Sequence, residues 1–215
     1  MRNKTTLLAT AVMFAAIIFL FWQNDQRIFQ DQGRLAVRPD PSDRDAVIFT
    51  WNSGIDVPMA RRFEEAFDQW KGKTGRIVIE LNSPGGSLSE GGRVVDVIEK
   101  MKRTHEVETR VGAGSVCLSM CVPIYLRGAR RVAAPSSRWM FHQPTTRDFF
   151  TDEKVNEPAF ETRMTARRFF NRYFVHSEMD PDWRAKLERD WQGGDVWKTG
   201  QELVDEGANV VTVLE

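Results

Sequence analysis

Ile77, Val78, Ile79 and Leu81 make Arg76–Leu81 almost continuously apolar, and Asn82-Ser83-Pro84-Gly85-Gly86-Ser87 follows directly. A run that is apolar without alternation suits a strand buried on both faces, as in a parallel sheet. Two adjacent glycines at the strand end permit backbone angles barred to other residues and let the main chain approach a ligand closely. Downstream, Val94, Val95, Val97, Ile98 and Met101 fall at helical spacing within Gly91–Met101. The rest of the chain repeats this alternation. Strand-like segments lie at Val47–Trp51, Val107–Val111 and Arg138–His142. Helix-like segments lie at Pro58–Trp70, with Met59, Phe63, Phe67 and Trp70 on one face, at Leu118–Leu126 and at Glu157–Val175. Such alternation predicts an α/β domain with largely parallel strands.

The first 45 residues are of a different kind. Arg2 and Lys4 precede an apolar run of 18 residues, Thr5–Trp22, that no charge interrupts. That is roughly the length that crosses a bilayer. The run ends in Phe19-Leu20-Phe21-Trp22, where a cleavage site would need small residues. This favours a retained transmembrane anchor over residues 1–23, with a cleaved signal and a secreted domain as the alternative. The positive flank keeps the N-terminus in the cytoplasm, so the domain is expected in the periplasm or otherwise outside the cytoplasm. Residues 24–45 are polar, contain Gly33, Pro39 and Pro41, and read as a linker. Residues 46–215 then form one domain of ordinary size. The 30 basic and 30 acidic residues give no net charge, which argues against nucleic acid as a partner. The two cysteines are too few for a disulfide scaffold or a zinc ribbon.

Three constellations carry chemistry. The amides of Gly85 and Gly86 can face a developing negative charge. A plain strand-to-helix turn is the blander reading, and no Gly-Lys-Ser/Thr follows to make a phosphate loop. The second is the small-residue run Gly112–Cys121, which leads from a strand towards a helix with Ser119 near the helix start. The positive end of a helix there favours an oxyanion, although a lone serine is more often a packing residue. The third is Trp139-Met140-Phe141-His142-Gln143-Pro144. An apolar strand delivers His142 to its C-terminal end, where the sites of parallel sheets gather. The other histidines, His105 and His176, lie in polar surroundings and read as structural. Cys117 and Cys121 flank Ser119. In an oxidising compartment a disulfide would brace this turn, and two reduced apolar cysteines are the alternative.

Together these segments resemble the Clp protease proteolytic subunit family. There a strand ends in Asn-Ser-Pro-Gly-Gly, the nucleophile lies in Ala-Ser-Met, and a third strand ends in Met-Ile-His-Gln-Pro. The counterparts here are Asn82–Gly86, Leu118-Ser119-Met120 and Met140-Phe141-His142-Gln143-Pro144, with Gly54-Ile55-Asp56 ahead of the first helix. The resemblance implies a Clp-protease/crotonase-like α/β fold of repeated ββα units and a serine endopeptidase that needs no cofactor or metal. Ser119 would be the nucleophile and His142 its base, with the amides of Gly86 and Met120 as oxyanion hole. The family's triad aspartate precedes an aromatic residue, a short helix and a glycine. Counted back from Gly207, this is Asp195. Asp190 fits the local Glu-Arg-Asp wording and is the alternative. Cys121 stands where the family usually has glycine, and one extra residue separates Gly114 from Ser119, so Ser115 is a fallback nucleophile.

The implied partners are peptides or unfolded protein segments as substrates, the membrane through the N-terminal helix, and further copies of the chain in a homo-oligomer. A cytosolic ATP-driven unfoldase is not expected for a domain outside the cytoplasm. Two other classes stay open: an inactive binding or scaffold module on the same fold, and a membrane serine protease with a serine–lysine dyad, similar to signal peptide peptidase A. His142 at a strand end speaks against the latter.

Overall fold

In the computed structural model, which describes residues 35–145, 159–192 and 194–215, strands and helices alternate from the first described residue. β1 (Leu35–Pro39) and β2 (Ala46–Asn52) lead into α1 (Met59–Trp70), and β3 (Arg76–Asn82) leads into α2 (Leu88–Met101). β4 (Glu106–Val111) and the short β5 (Val116–Leu118) precede α3 (Cys121–Tyr125). β6 (Arg130–Ala133) and β7 (Arg138–Phe141) come before α4 (Ala159–Phe170), which runs into a π-helical turn at Asn171–Val175. α5 (Pro181–Asp190), β8 (Val196–Thr199), α6 (Gly200–Asp205) and β9 (Val213–Leu214) follow.

One sheet has the order β1-β2-β3-β4-β6-β9 and is parallel except for β1. A second sheet has the order β5-β7-β8, with β5 parallel and β8 antiparallel to β7. The α/β expectation thus matches the described residues. Ile77, Val78 and Ile79 of β3 are fully buried, as their unbroken apolar run requires. α1 buries Met59, Phe63, Ala66 and Phe67, and the Phe63 ring lies 6.0 Å from Phe49 and 6.1 Å from Trp51. Truncating so central a ring costs about 3–5 kcal/mol. Ser87 caps α2 by accepting the Glu90 N–H, and Thr199 and Glu202 close a capping box on α6. Buried Arg131 donates to Gly128 O at 3.2 Å, Asn209 O at 3.0 Å, Val210 O at 2.9 Å and Glu178 at 2.9 Å. It fastens the C-terminal segment to β6.

Two expectations need correction. Part of the expected 24–45 linker is β1, with Leu35 opposite Trp51 and Pro39 opposite Val47. Its mostly exposed side chains explain the polar reading, and an edge strand tolerates Pro39 at its end. The expected helix Leu118–Leu126 splits into β5 and a five-residue α3, because Ser119 adopts φ 55° and interrupts it. β5, β6, β8 and β9, of two to four residues each, are too short to show a period, and β7, also of four, stood out only by its apolar Trp139, Met140 and Phe141. The expected anchor, residues 1–23, lies outside the described residues. Among the described residues no helix is long and apolar enough to cross a membrane.

Candidate active site

The end of β3 is fastened to β5 immediately before Ser119. Asn82 Oδ1 accepts the Val116 N–H at 2.9 Å. Ser83 N–H donates to Val116 O at 2.8 Å, and Leu118 N–H donates to Ser83 O at 3.0 Å. The fully buried Ser83 accepts the Gly85 N–H through its Oγ at 3.2 Å, which turns the chain. Gly85 has φ 92° and Gly86 φ 148°. A Cβ on Gly85 would stand 2.6 Å from Ser119 Cβ, and one on Gly86 would stand 2.4 Å from Ile55 O. Glycine is required at both positions by space as well as by angle.

Ser119 is held in the left-handed region, which costs a non-glycine residue about 1–3 kcal/mol and persists only where the surroundings enforce it. Its N–H donates to Met140 O at 2.8 Å, and its carbonyl accepts the Val122 N–H at 3.0 Å. A disulfide joins Cys117 to Cys121 across it, and both half-cystines are fully buried. The bridge runs from a strand to a helix start, not along one helical face. Met120 is fully buried next to Gly91 of α2, where a Cβ would lie 2.3 Å from Met120 Cγ.

β7 ends at Phe141 and presents His142, whose Nε2 is hydrogen-bonded to Ser119 Oγ at 2.6 Å. In the tautomer with Nδ1 protonated, the serine hydroxyl donates to Nε2, as proton abstraction requires. Both side chains line a cleft of about 500 Å³ whose walls include Gly85, Gly86, Leu88 and Met140. The N–H groups of Gly86 and Met120 have no acceptor among the described residues and are available to donate. Ser115 does not line the cleft. Its carbonyl accepts the Arg138 N–H at 3.0 Å instead.

The two candidate acids differ in placement. Phe141 pairs with Val196 in the antiparallel β7–β8 register, so His142 follows one strand of the pair and Asp195 precedes the other. Asp195 is exposed. Asp190, the alternative, is placed differently. It lies in the last turn of α5 and bonds Lys186, which holds its carboxyl below the ordinary aspartate range. That face points to solvent. His105 contacts Thr104 and Lys71 O, a structural arrangement.

Asp56 also lines the cleft, and sequence reasoning gave it no role. Partial loss of water, then the nearby Glu90 carboxylate, pushes its carboxyl above the usual range. Its only advance signal was its place in Gly54-Ile55-Asp56. Among the described residues no group of His, Cys, Asp and Glu could hold a metal ion.

Comparisons with known proteins give the family and the fold. The Clp protease family model matches residues 65–208. The chain belongs to the Clp protease family. It is 32% identical over 133 residues to ATP-dependent Clp protease proteolytic subunit 1 of Chlamydia caviae, covering 61% of this chain and 66% of that one. It is 30% identical over 133 residues to proteolytic subunit 2 of Thermobifida fusca, covering 61% and 62%. The matches thus span just under two thirds of these curated relatives. A solved structure of a ClpP1 point mutant from Listeria monocytogenes superposes with a TM-score of 0.59 at 20% identity, over 80% of this chain and 92% of that one. The described residues therefore have a ClpP-like α/β fold.

Proposed function

We propose that the protein is a serine endopeptidase that works outside the cytoplasm, tethered by its N-terminal apolar run. The observation that carries this reading is the 2.6 Å hydrogen bond between Ser119 Oγ and His142 Nε2, in a cleft walled by Gly85 and Gly86. Ser119 Oγ attacks the peptide carbonyl carbon while His142 takes its proton. His142 then returns that proton to the leaving amine, and water hydrolyses the acyl-enzyme by the same exchange in reverse. The Gly86 and Met120 amides receive the oxyanion. One such donor is typically worth about 100- to 1,000-fold in rate. Asp195, which precedes the strand paired with β7, is the proposed third member.

Two observations support the location: the uncharged 18-residue run at the N-terminus and the disulfide across the nucleophile turn. Disulfides persist in oxidising compartments. The relatives' names describe ATP-dependent proteolysis, whereas a domain outside the cytoplasm would act without that partner on short or unfolded peptides, as a homo-oligomer. A fluorophosphonate probe should label the wild-type protein and leave Ser119→Ala unlabelled. Labelling that survives Ser119→Ala would remove the nucleophile assignment. A reporter fused after Trp22 should be active only outside the cytoplasm, and cytoplasmic reporter activity would remove the location.

A further inference from the structure

The cleft beside Ser119 carries a charge that the serine–histidine chemistry does not use. Apart from His142, Asp56 is the only titratable residue among the described cleft walls. Its position is fixed by the backbone around it. Ile55 N–H donates to Gly85 O at 2.8 Å, Ser87 N–H donates to Ile55 O at 2.7 Å, and Met59 N–H donates to Asp56 O at 2.9 Å. Ile55 also forms a parallel bridge with Gly86. Asp56 is thus clamped to the same glycine segment that touches Ser119.

No described cation pairs with Asp56, and the charge that bears on it is the Glu90 carboxylate, of the same sign. Glu90 itself is satisfied. It is buried, accepts the Ala60 N–H at 2.8 Å and pairs with Arg93 at 2.7 Å. Asp56 is exposed, so its carboxylate is open to a cation entering the cleft and would form an ion pair of the surface kind. Leu88 and Met140, also in the walls, offer apolar surface on which a long aliphatic stem can lie.

We infer that Asp56 sets substrate preference: the cleft takes peptides with a lysine or arginine close to the scissile bond, whose cation pairs with the Asp56 carboxylate. The inference rests on the peptidase reading of this cleft. Binding to the Ser119→Ala protein tests it without requiring turnover. In a panel of fluorescent decapeptides, one lysine walks along a neutral sequence, and norleucine replaces it in the controls. At one or two positions lysine should tighten binding about fivefold over norleucine, the size of a partly exposed ion pair. The gap should shrink as salt is raised and vanish in Ser119→Ala/Asp56→Asn, while the norleucine peptides bind as before. Equal affinities for lysine and norleucine at every position, or a lysine gap that survives Asp56→Asn, would overturn the inference. So would loss of neutral-peptide binding in a folded Asp56→Asn protein. Fluorophosphonate labelling of the wild-type protein reads the hydrolase assignment separately. Labelling without lysine preference sinks only this inference. Lysine preference in a protein that takes no label sinks only the peptidase reading.

Discussion

Ser119 follows β5 and Asp195 precedes β8, the two strands that flank β7, and the two residues are held in opposite ways. On the β5 side, the nucleophile turn is fixed several times over. It has the disulfide, the Ser119 N–H bond to Met140, the Ser83–Cys117 bridge and the close approach of Gly85. On the β8 side, Asp195 follows Gly194 and faces solvent. The difference follows from what each residue must do. A serine at positive φ relaxes unless its neighbours forbid it, and attack tolerates little misplacement. An acid that only orients and stabilises an imidazole acts through a field that water dilutes. Constraint is therefore concentrated where the bond is made.

The comparison can be broken from its strong side first. Ser119→Ala should abolish probe labelling and peptidase activity with an unchanged melting curve. Residual activity near wild type would move the chemistry elsewhere. Gly85→Ala comes next. Its new methyl would meet Ser119 Cβ and Leu118 O at a φ of 92°, so turnover should fall about 100-fold or more while the far-ultraviolet circular dichroism stays native. A nearly full rate would mean that the turn is softer than argued. Replacing both Cys117 and Cys121 with alanine should lower kcat by about 10- to 100-fold with little change in KM. The small loop closed by this bridge implies about 2 kcal/mol of stability lost with it. A change confined to stability would make the disulfide a staple for the fold and not for the nucleophile.

Parts of this arrangement were readable beforehand, and the reasons differ by residue. The long apolar run at Ile77–Leu81 and the helical spacing of Met59, Phe63 and Phe67 report burial directly, so β3 and α1 were evident. Ser119 and His142 followed from three short motifs on the right elements, and they meet at 2.6 Å. β5 and β8 were not evident, because strands of three and four residues show no period. β1 was hidden by its exposed, proline-ended sequence. The Asp56 position depends on a backbone clamp between segments about 30 residues apart, which no local pattern encodes. The choice between Asp195 and Asp190 was left open by the sequence, because five residues of separation cannot tell them apart.

That choice gives the smallest effects and the finest test. Asn at position 195 would keep the size of the side chain and lose its charge. Because Asp195 is exposed, its loss should cost about tenfold in turnover, well short of the roughly 10⁴-fold cost of a buried, locked triad aspartate. Asp190→Asn should leave turnover unchanged, since that carboxylate serves Lys186 on a solvated helix face. Its effect should appear in stability alone, with a definite sign. The Lys186 bond lowers the folded pKa of Asp190. The pair therefore contributes stability above the ordinary aspartate pKa and loses it as pH falls through the lowered folded value. Denaturation curves of wild type and Asp190→Asn should differ slightly near neutrality, converge in acid, and draw together as salt screens the exposed pair. Peptidase assays on both variants then decide the comparison. A 10⁴-fold loss in Asp195→Asn would show that the β8 side closes on His142 during turnover as tightly as the β5 side already does. Equal, near-wild-type rates for both would leave Ser119 and His142 as a dyad. A larger loss in Asp190→Asn would require α5 to turn its charged face towards the cleft.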